Sequence, residues 1–172
     1  VFLFITFFYG YNLYLKILIN EYSAANFDTY TDNFGEYEDW IEFYNNSNTD
    51  VDLNGWYISD KVNNPTKWMF PSSFIVPANS TAIIYCSGRD ELNGGIAHTN
   101  FKITQTRGNE TIMLTDNANN LQDSITVKPN QNTHSRGRET DGSAIWKVFT
   151  TATPNGTNIG AMEEYASTPV FS

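Results

Sequence analysis

The chain has 172 residues, with 19 acids against 10 Lys and Arg for a formal net charge of −9, and 15% of it is aromatic. That length suits one domain plus its ends and is enough to bury a real core. A surface of this sign repels nucleic-acid phosphates and anionic lipid headgroups, so neither is expected as a partner. With only 17% charged residues and so many rings, the composition favours strands.

Residues 1–9, Val1-Phe2-Leu3-Phe4-Ile5-Thr6-Phe7-Phe8-Tyr9, are almost wholly apolar before Gly10, Tyr11 and Asn12 break the run. The run is too short for a spanning helix of about 20 residues and has the length of a signal-peptide core. The competing reading is a buried first strand, but nine apolar residues without alternation are unusual in a sandwich. Residues 1–14 are therefore expected to be the remnant of an export signal. The mature protein is then secreted or held at the cell surface, without stable membrane insertion. No Cys lies nearby to carry a lipid.

The first genuine strand is predicted over residues 15–22, followed by a polar, aperiodic loop over 23–36. Further strands are predicted at 37–45, 55–59, 67–70, 80–87, 98–103, 110–115, 121–127 and 145–150. About nine short strands between Asn-, Gly- and Pro-rich turns imply an all-β sandwich or barrel. No apolar repeat of 3.6 residues, no heptad and no internal repeat is visible. Thr153-Pro154-Asn155-Gly156-Thr157-Asn158 closes the domain, so its span is 15–158. Residues 159–172 are expected to be a linker and the start of a following β-domain.

Several blocks carry a family resemblance: Glu38-Asp39-Trp40-Ile41-Glu42-Phe43-Tyr44-Asn45, Leu53-Asn54-Gly55-Trp56-Tyr57-Ile58-Ser59-Asp60, Lys67-Trp68-Met69-Phe70-Pro71, Thr99-Asn100-Phe101-Lys102-Ile103 and Ser135-Arg136-Gly137-Arg138. In this order they resemble the lamin-tail domain, an immunoglobulin-like β-sandwich of nuclear lamins and of secreted bacterial proteins. Without a coiled-coil rod, the likeness is to the bacterial type. Asp39, Trp40, Glu42, Asn45, Gly55, Trp56, Asp60, Trp68, Pro71, Phe101, Arg136, Arg138, Asp141, Gly142 and Trp146 form the motif frame. The resemblance also implies that Pro169-Val170-Phe171-Ser172 opens a further β-domain, with a CotH-type kinase domain downstream of it.

Few residues invite chemistry. On the strand 37–45, a period of two puts Tyr37, Asp39, Ile41 and Phe43 on the core side and Glu38, Trp40, Glu42 and Tyr44 on the other. A carboxylate at the core margin needs a partner, and Arg136 or Arg138 is the expected one for Asp39. Asp39 and Glu42 point to opposite faces, so they cannot flank one bond as acid and base. Asp28, Asp32 and Glu36 are weak calcium candidates in an oxygen-rich loop, although their spacing is not that of an EF-hand. No other cofactor is expected. His98 and His134 lack partners at zinc spacing, and no nucleophile–base or phosphate-loop motif occurs. Cys86, the lone cysteine, is expected to pack in a strand. Tyr30, Trp40 and Tyr44 are the expected binding surface, since aromatic platforms stack on sugar rings.

The expectation is thus a non-catalytic extracellular binding, adhesion or domain-presenting module of a larger bacterial protein, engaging a protein or glycan on a surface. The alternatives are a carbohydrate-binding module and an accessory domain of an enzyme whose catalytic part lies downstream.

Overall fold

The computed structural model describes residues 16–106, 108 and 110–165, all in strands, turns and loops without a helix. The strands are β1 (Ile17–Ser23), β2 (Trp40–Asn45), β3 (Val51–Asp52), β4 (Tyr57–Ser59), β5 (Trp68–Met69), β6 (Ile75–Val76), β7 (Thr81–Tyr85), β8 (Glu91–Asn93), β9 (Ile96–His98), β10 (Thr111–Thr115), β11 (Leu121–Thr126), β12 (Ser135–Arg138) and β13 (Trp146–Phe149). They form a seven-stranded sheet ordered β13-β12-β1-β2-β7-β9-β8, a four-stranded sheet ordered β11-β10-β4-β5, and a β3–β6 pair. The fold is an immunoglobulin-like β-sandwich of thirteen short strands rather than the expected nine or so. The expected export signal lies outside the described residues, as do Pro169, Val170, Phe171 and Ser172.

Alternation explains the core. Ile41 and Phe43 on β2, Ile84 on β7 and Ala97 on β9 face the small sheet, where Ile58, Trp68, Ile112 and Leu114 meet them; Phe70 and Phe74 fill between. On β10, Ile112 and Leu114 are fully buried while the alternating Thr111 and Met113 are half-buried.

In β1 this alternation is broken once, and usefully. Its register against β2 shifts between Ile19 and Glu21. The extra residue of a bulge lets Asn20 and Glu21 both lie on the side away from the core, while Ile19 and Tyr22 both stay in it. The backbone groups displaced there find side-chain partners. Asp123 Oδ2 on β11 accepts the Ile19 N–H at 2.8 Å, and Arg138 Nε donates to the Ile19 carbonyl at 2.8 Å. Arg138 and Asp123 are themselves paired at 2.7 Å, which ties the two sheets together at the bulge.

Two expectations change here. Residues 135–138, absent from the predicted strands, form a buried strand between β13 and β1, and a Cβ at Gly137 would stand 3.0–3.1 Å from Asn158, Phe149 and Glu21, so those neighbours would have to give way. The expected strand at 98–103 ends at His98; Phe101 and Ile103 reach the core from the loop beyond it. In the segment 159–165, expected to be a linker, Met162 pairs with Val148 of β13.

Candidate functional site

The outward face of the large sheet is where polar residues gather. Trp40, Glu42 and Tyr44 lie opposite Tyr85, Ile83 and Thr81 on β7, and the β1 bulge adds Asn20 and Glu21. Two loops cover this face. They are the turn at Asp141 and Gly142 and residues 153–158: Asn20 Nδ2 donates to Glu42 Oε1 and to Asp141 Oδ1, each at 3.0 Å. The Asn155 N–H donates to Glu42 Oε2 at 2.6 Å, the Thr153 hydroxyl to Glu21 Oε2 at 2.7 Å, and Asn158 Nδ2 to the Arg138 carbonyl at 2.6 Å. Ser135 Oγ also donates to Glu21.

This network holds two fully buried glutamates. Burial pushes the Glu42 carboxyl up to about 8; the Asn20 amide opposes that and the neighbouring Glu21 adds to it. Burial likewise raises Glu21, against the hydrogen bonds from Ser135 and Thr153. Each oxygen is occupied by loop or strand donors, so neither acid is offered to a substrate. The arrangement closes the domain; it does not open a site. Gly142, at φ +74, turns the chain so that its N–H reaches Asn20 Oδ1 at 3.2 Å, with the Tyr44 ring directly beneath.

The expected binding surface is therefore corrected. Trp40 lies on the predicted side of its strand but is fully buried. It cannot be a platform. Tyr44 is half-buried against Gly142, and Tyr30 is half-buried, stacked on Tyr85 with ring centroids 6.3 Å apart and bonded through its hydroxyl to Asn155 Nδ2 at 2.8 Å.

The Asp39–arginine pair is also overturned. Asp39 accepts the Asn26 N–H at 3.3 Å, and its carboxyl is raised to about 6, chiefly by burial. Arg136 instead holds the Pro129 carbonyl and Glu164, and Arg138 holds Asp123. The arginines lie on β12, beyond β1 from β2, and their nearer partners satisfy them.

The calcium candidates are not brought together. Asp28 is exposed, Glu36 pairs with Arg89 at 2.5 Å, and Asp32 Oδ1 accepts the N–H groups of Phe34 and Glu36 as the loop's internal cap. Among the described residues, no group of three or more His, Cys, Asp or Glu could hold a metal.

The remaining motif residues are structural in place. Asn45 Nδ2 donates to the Thr49 and Val76 carbonyls, Asp60 pairs with Lys67, and the Lys67 ammonium lies 4.7 Å from the Phe101 ring centre. Gly55 has φ +78, Pro71 is exposed, Trp68 Nε1 donates to Asp90, and Trp56 and Trp146 pack at the core's edge. Asp141 accepts from Asn20 and from the Asn158 N–H. His98 sits between Ser87 Oγ (2.9 Å) and Asn33 Oδ1 (2.7 Å), and His134 lies 2.9 Å from the Tyr165 hydroxyl. Cys86 is fully buried, which pushes its thiol well above the usual range.

What does reach solvent is the loop that follows β1. Phe27 is 64% exposed, Phe34 51% and Tyr37 48%. Tyr37, expected on the core side of a strand over 37–45, is instead exposed because β2 starts only at Trp40; Phe27 and Phe34 sit in the polar, aperiodic loop 23–36, where rings were the available signal. The loop is not slack: Asn26 Nδ2 donates to the Tyr30 and Glu38 carbonyls, and the Arg89 guanidinium lies 4.2 Å from the Phe34 ring centre. On one side of it, Phe27, Tyr37, Glu38, Asp39 and Lys102 line a groove of about 310 Å³. On the other, Tyr30, Ile75, Ile83, Tyr85 and Ile96 line a second one of about 410 Å³. Exposed rings on a braced loop between two shallow grooves suit binding, not bond-breaking.

A family model described as Lamin Tail Domain matches residues 14–129, more than half of the chain. The matched span carries β1 to β11 and ends before β12. Comparison with curated proteins finds no match.

Proposed function

We propose a binding role for this chain, which belongs to the lamin tail domain family, a family of non-catalytic immunoglobulin-like domains. It is a secreted or cell-surface module of a larger bacterial protein, and it engages a protein or glycan through the loop that follows β1. The observation that carries this reading is the trio Phe27, Phe34 and Tyr37, exposed on a loop whose backbone is fixed from within. Rings held in place lose little conformational freedom on binding, which is how aromatic anchors gain affinity. Export is supported by the apolar run over residues 1–9 and by the burial of the lone Cys86, which leaves no exposed thiol to oxidise.

The groove beside Tyr37 favours a glycan as the second reading. It sets two rings next to Glu38, Asp39 and Lys102, the mixture of apolar face and hydrogen-bonding edge that sugar rings require. A glycan array and a panel of immobilised surface proteins, probed with the full chain and with Phe27→Ser/Phe34→Ser/Tyr37→Ser, test both. Binding that disappears in the triple variant while its melting temperature holds supports the role. Binding unaffected by the three changes overturns it.

A further inference from the structure

Most of the surface is acidic, yet three of the ten bases converge on one edge of the large sheet. Lys147 of β13 pairs with Glu163 at 2.6 Å; Arg136 of β12 grips both oxygens of Glu164 at 2.7 and 2.9 Å, and Lys128 approaches the same carboxylate at 3.4 Å. The Arg136 side chain is nearly buried, and Nε and Nη2 both donate to the Pro129 carbonyl, which fixes the guanidinium with Nη1 turned to Glu164. The next residue is held too. The Tyr165 hydroxyl accepts the Gln131 N–H at 3.1 Å and lies 2.9 Å from His134 Nδ1, while its ring stacks on His134 and lies 5.5 Å from the Arg136 guanidinium. Ahead of these, Met162 pairs with Val148 as a strand would, N–H to carbonyl in both directions at 2.8 and 3.3 Å.

We propose that the β13 edge is a strand-acceptor site for an acidic segment of the pattern Met-Glu-Glu-Tyr. The chain's own residues 162–165 fill it, and the same segment of a second copy fills it when they leave. Main-chain pairing at the edge supplies affinity, and the Lys147, Arg136 and His134 side chains supply the readout of Glu, Glu and Tyr. An edge strand left open is otherwise a template for indiscriminate pairing, which the clasp prevents. The tether between β13 and Met162 is short, residues 150–161, so the segment meets its site at an effective concentration on the order of millimolar. Exchange between copies therefore needs the tethered segment to be displaced, and reciprocal exchange gives a two-fold, segment-swapped dimer.

The test titrates a labelled peptide with the sequence of residues 160–165 against the full chain and against Glu163→Lys/Glu164→Lys, in which the tethered segment faces three cations. The peptide should bind the variant at least about tenfold more tightly than the wild type, because the apparent affinity of a filled site falls with its open fraction. Binding should weaken with salt and shift the amide signals of Lys147 and Val148. Equal affinity for both proteins, no binding to the variant, or shifts elsewhere overturn the proposal. Met162→Pro, which removes the pairing N–H, serves as the opened form if the charge reversal fails to fold. Hydrogen exchange on the wild type needs no variant. The Val148 and Met162 amides should exchange together and more slowly than those of residues 150–152, and exchange of both at the open-loop rate overturns the pairing.

Discussion

Replacing Glu42 with Gln should remove one proton's worth of pH dependence from folding. The carboxyl is fully buried between Asn20 and Asn155, and the charged groups that act on it, Glu21 and Asp141, are both acids. Burial first, and Glu21 after it, lift its pKa from 4.5 to about 8. Between those values the folded protein keeps a proton that the unfolded chain has released. Its contribution to stability is therefore complete below pH 4.5, declines as pH rises, and is gone above about 8. One group in that window changes stability by about 1.4 kcal/mol per pH unit, so on the order of 5 kcal/mol is lost across it. Glu21 and Asp39, also raised by burial, slope the same way and remain in the variant. The amide has nearly the shape of the protonated acid but does not titrate. Urea melts from about pH 5 to about pH 8 should show the wild type losing stability faster than the variant by about 1.4 kcal/mol per unit. Parallel pH curves would refute the buried, protonated glutamate.

Trp40→Ala should cost about 3–5 kcal/mol in the same melts, as expected of a fully buried ring rather than a binding platform. Arg138→Ala should cost about 3–5 kcal/mol, because it strands Asp123 and the Ile19 carbonyl at the bulge. Asp39→Ala should cost only about 1 kcal/mol, since one hydrogen bond from Asn26 is lost and no arginine is abandoned. Gly137→Ala should cost about 1–3 kcal/mol by thermal melting, because its Cβ would stand 3.0 Å from both the Asn158 amide and the Phe149 ring.

The parity of β2 was legible in the sequence: Ile41 and Phe43 face the core, and Trp40 and Glu42 face away from it. What covers that second face was not, because the cover comes from residues 153–158, more than a hundred positions later, and from a bulge that a strict period of two does not predict. The strand Ser135–Arg138 was hidden for a related reason. Two arginines and a glycine look like a loop until Asp123, Ile19 and Glu164 are placed around them. The two-residue strands Val51–Asp52 and Ile75–Val76 are too short to carry any periodicity. The exposed rings of the loop after β1 were present in the sequence, but exposure is a property of packing, and only the structure separates Phe27 from Phe43.

The binding of the full chain and of Phe27→Ser/Phe34→Ser/Tyr37→Ser to a glycan array and a surface-protein panel, read beside their turnover of phosphoester, glycoside and ester substrates, tests the central claim most directly. The predicted result is saturable binding by the wild type that falls at least about tenfold in the triple variant, a loss of about 1.4 kcal/mol or more, with equal melting temperatures and no turnover by either. Binding unchanged by the triple variant, or turnover that vanishes when a single carboxylate is changed, would contradict it.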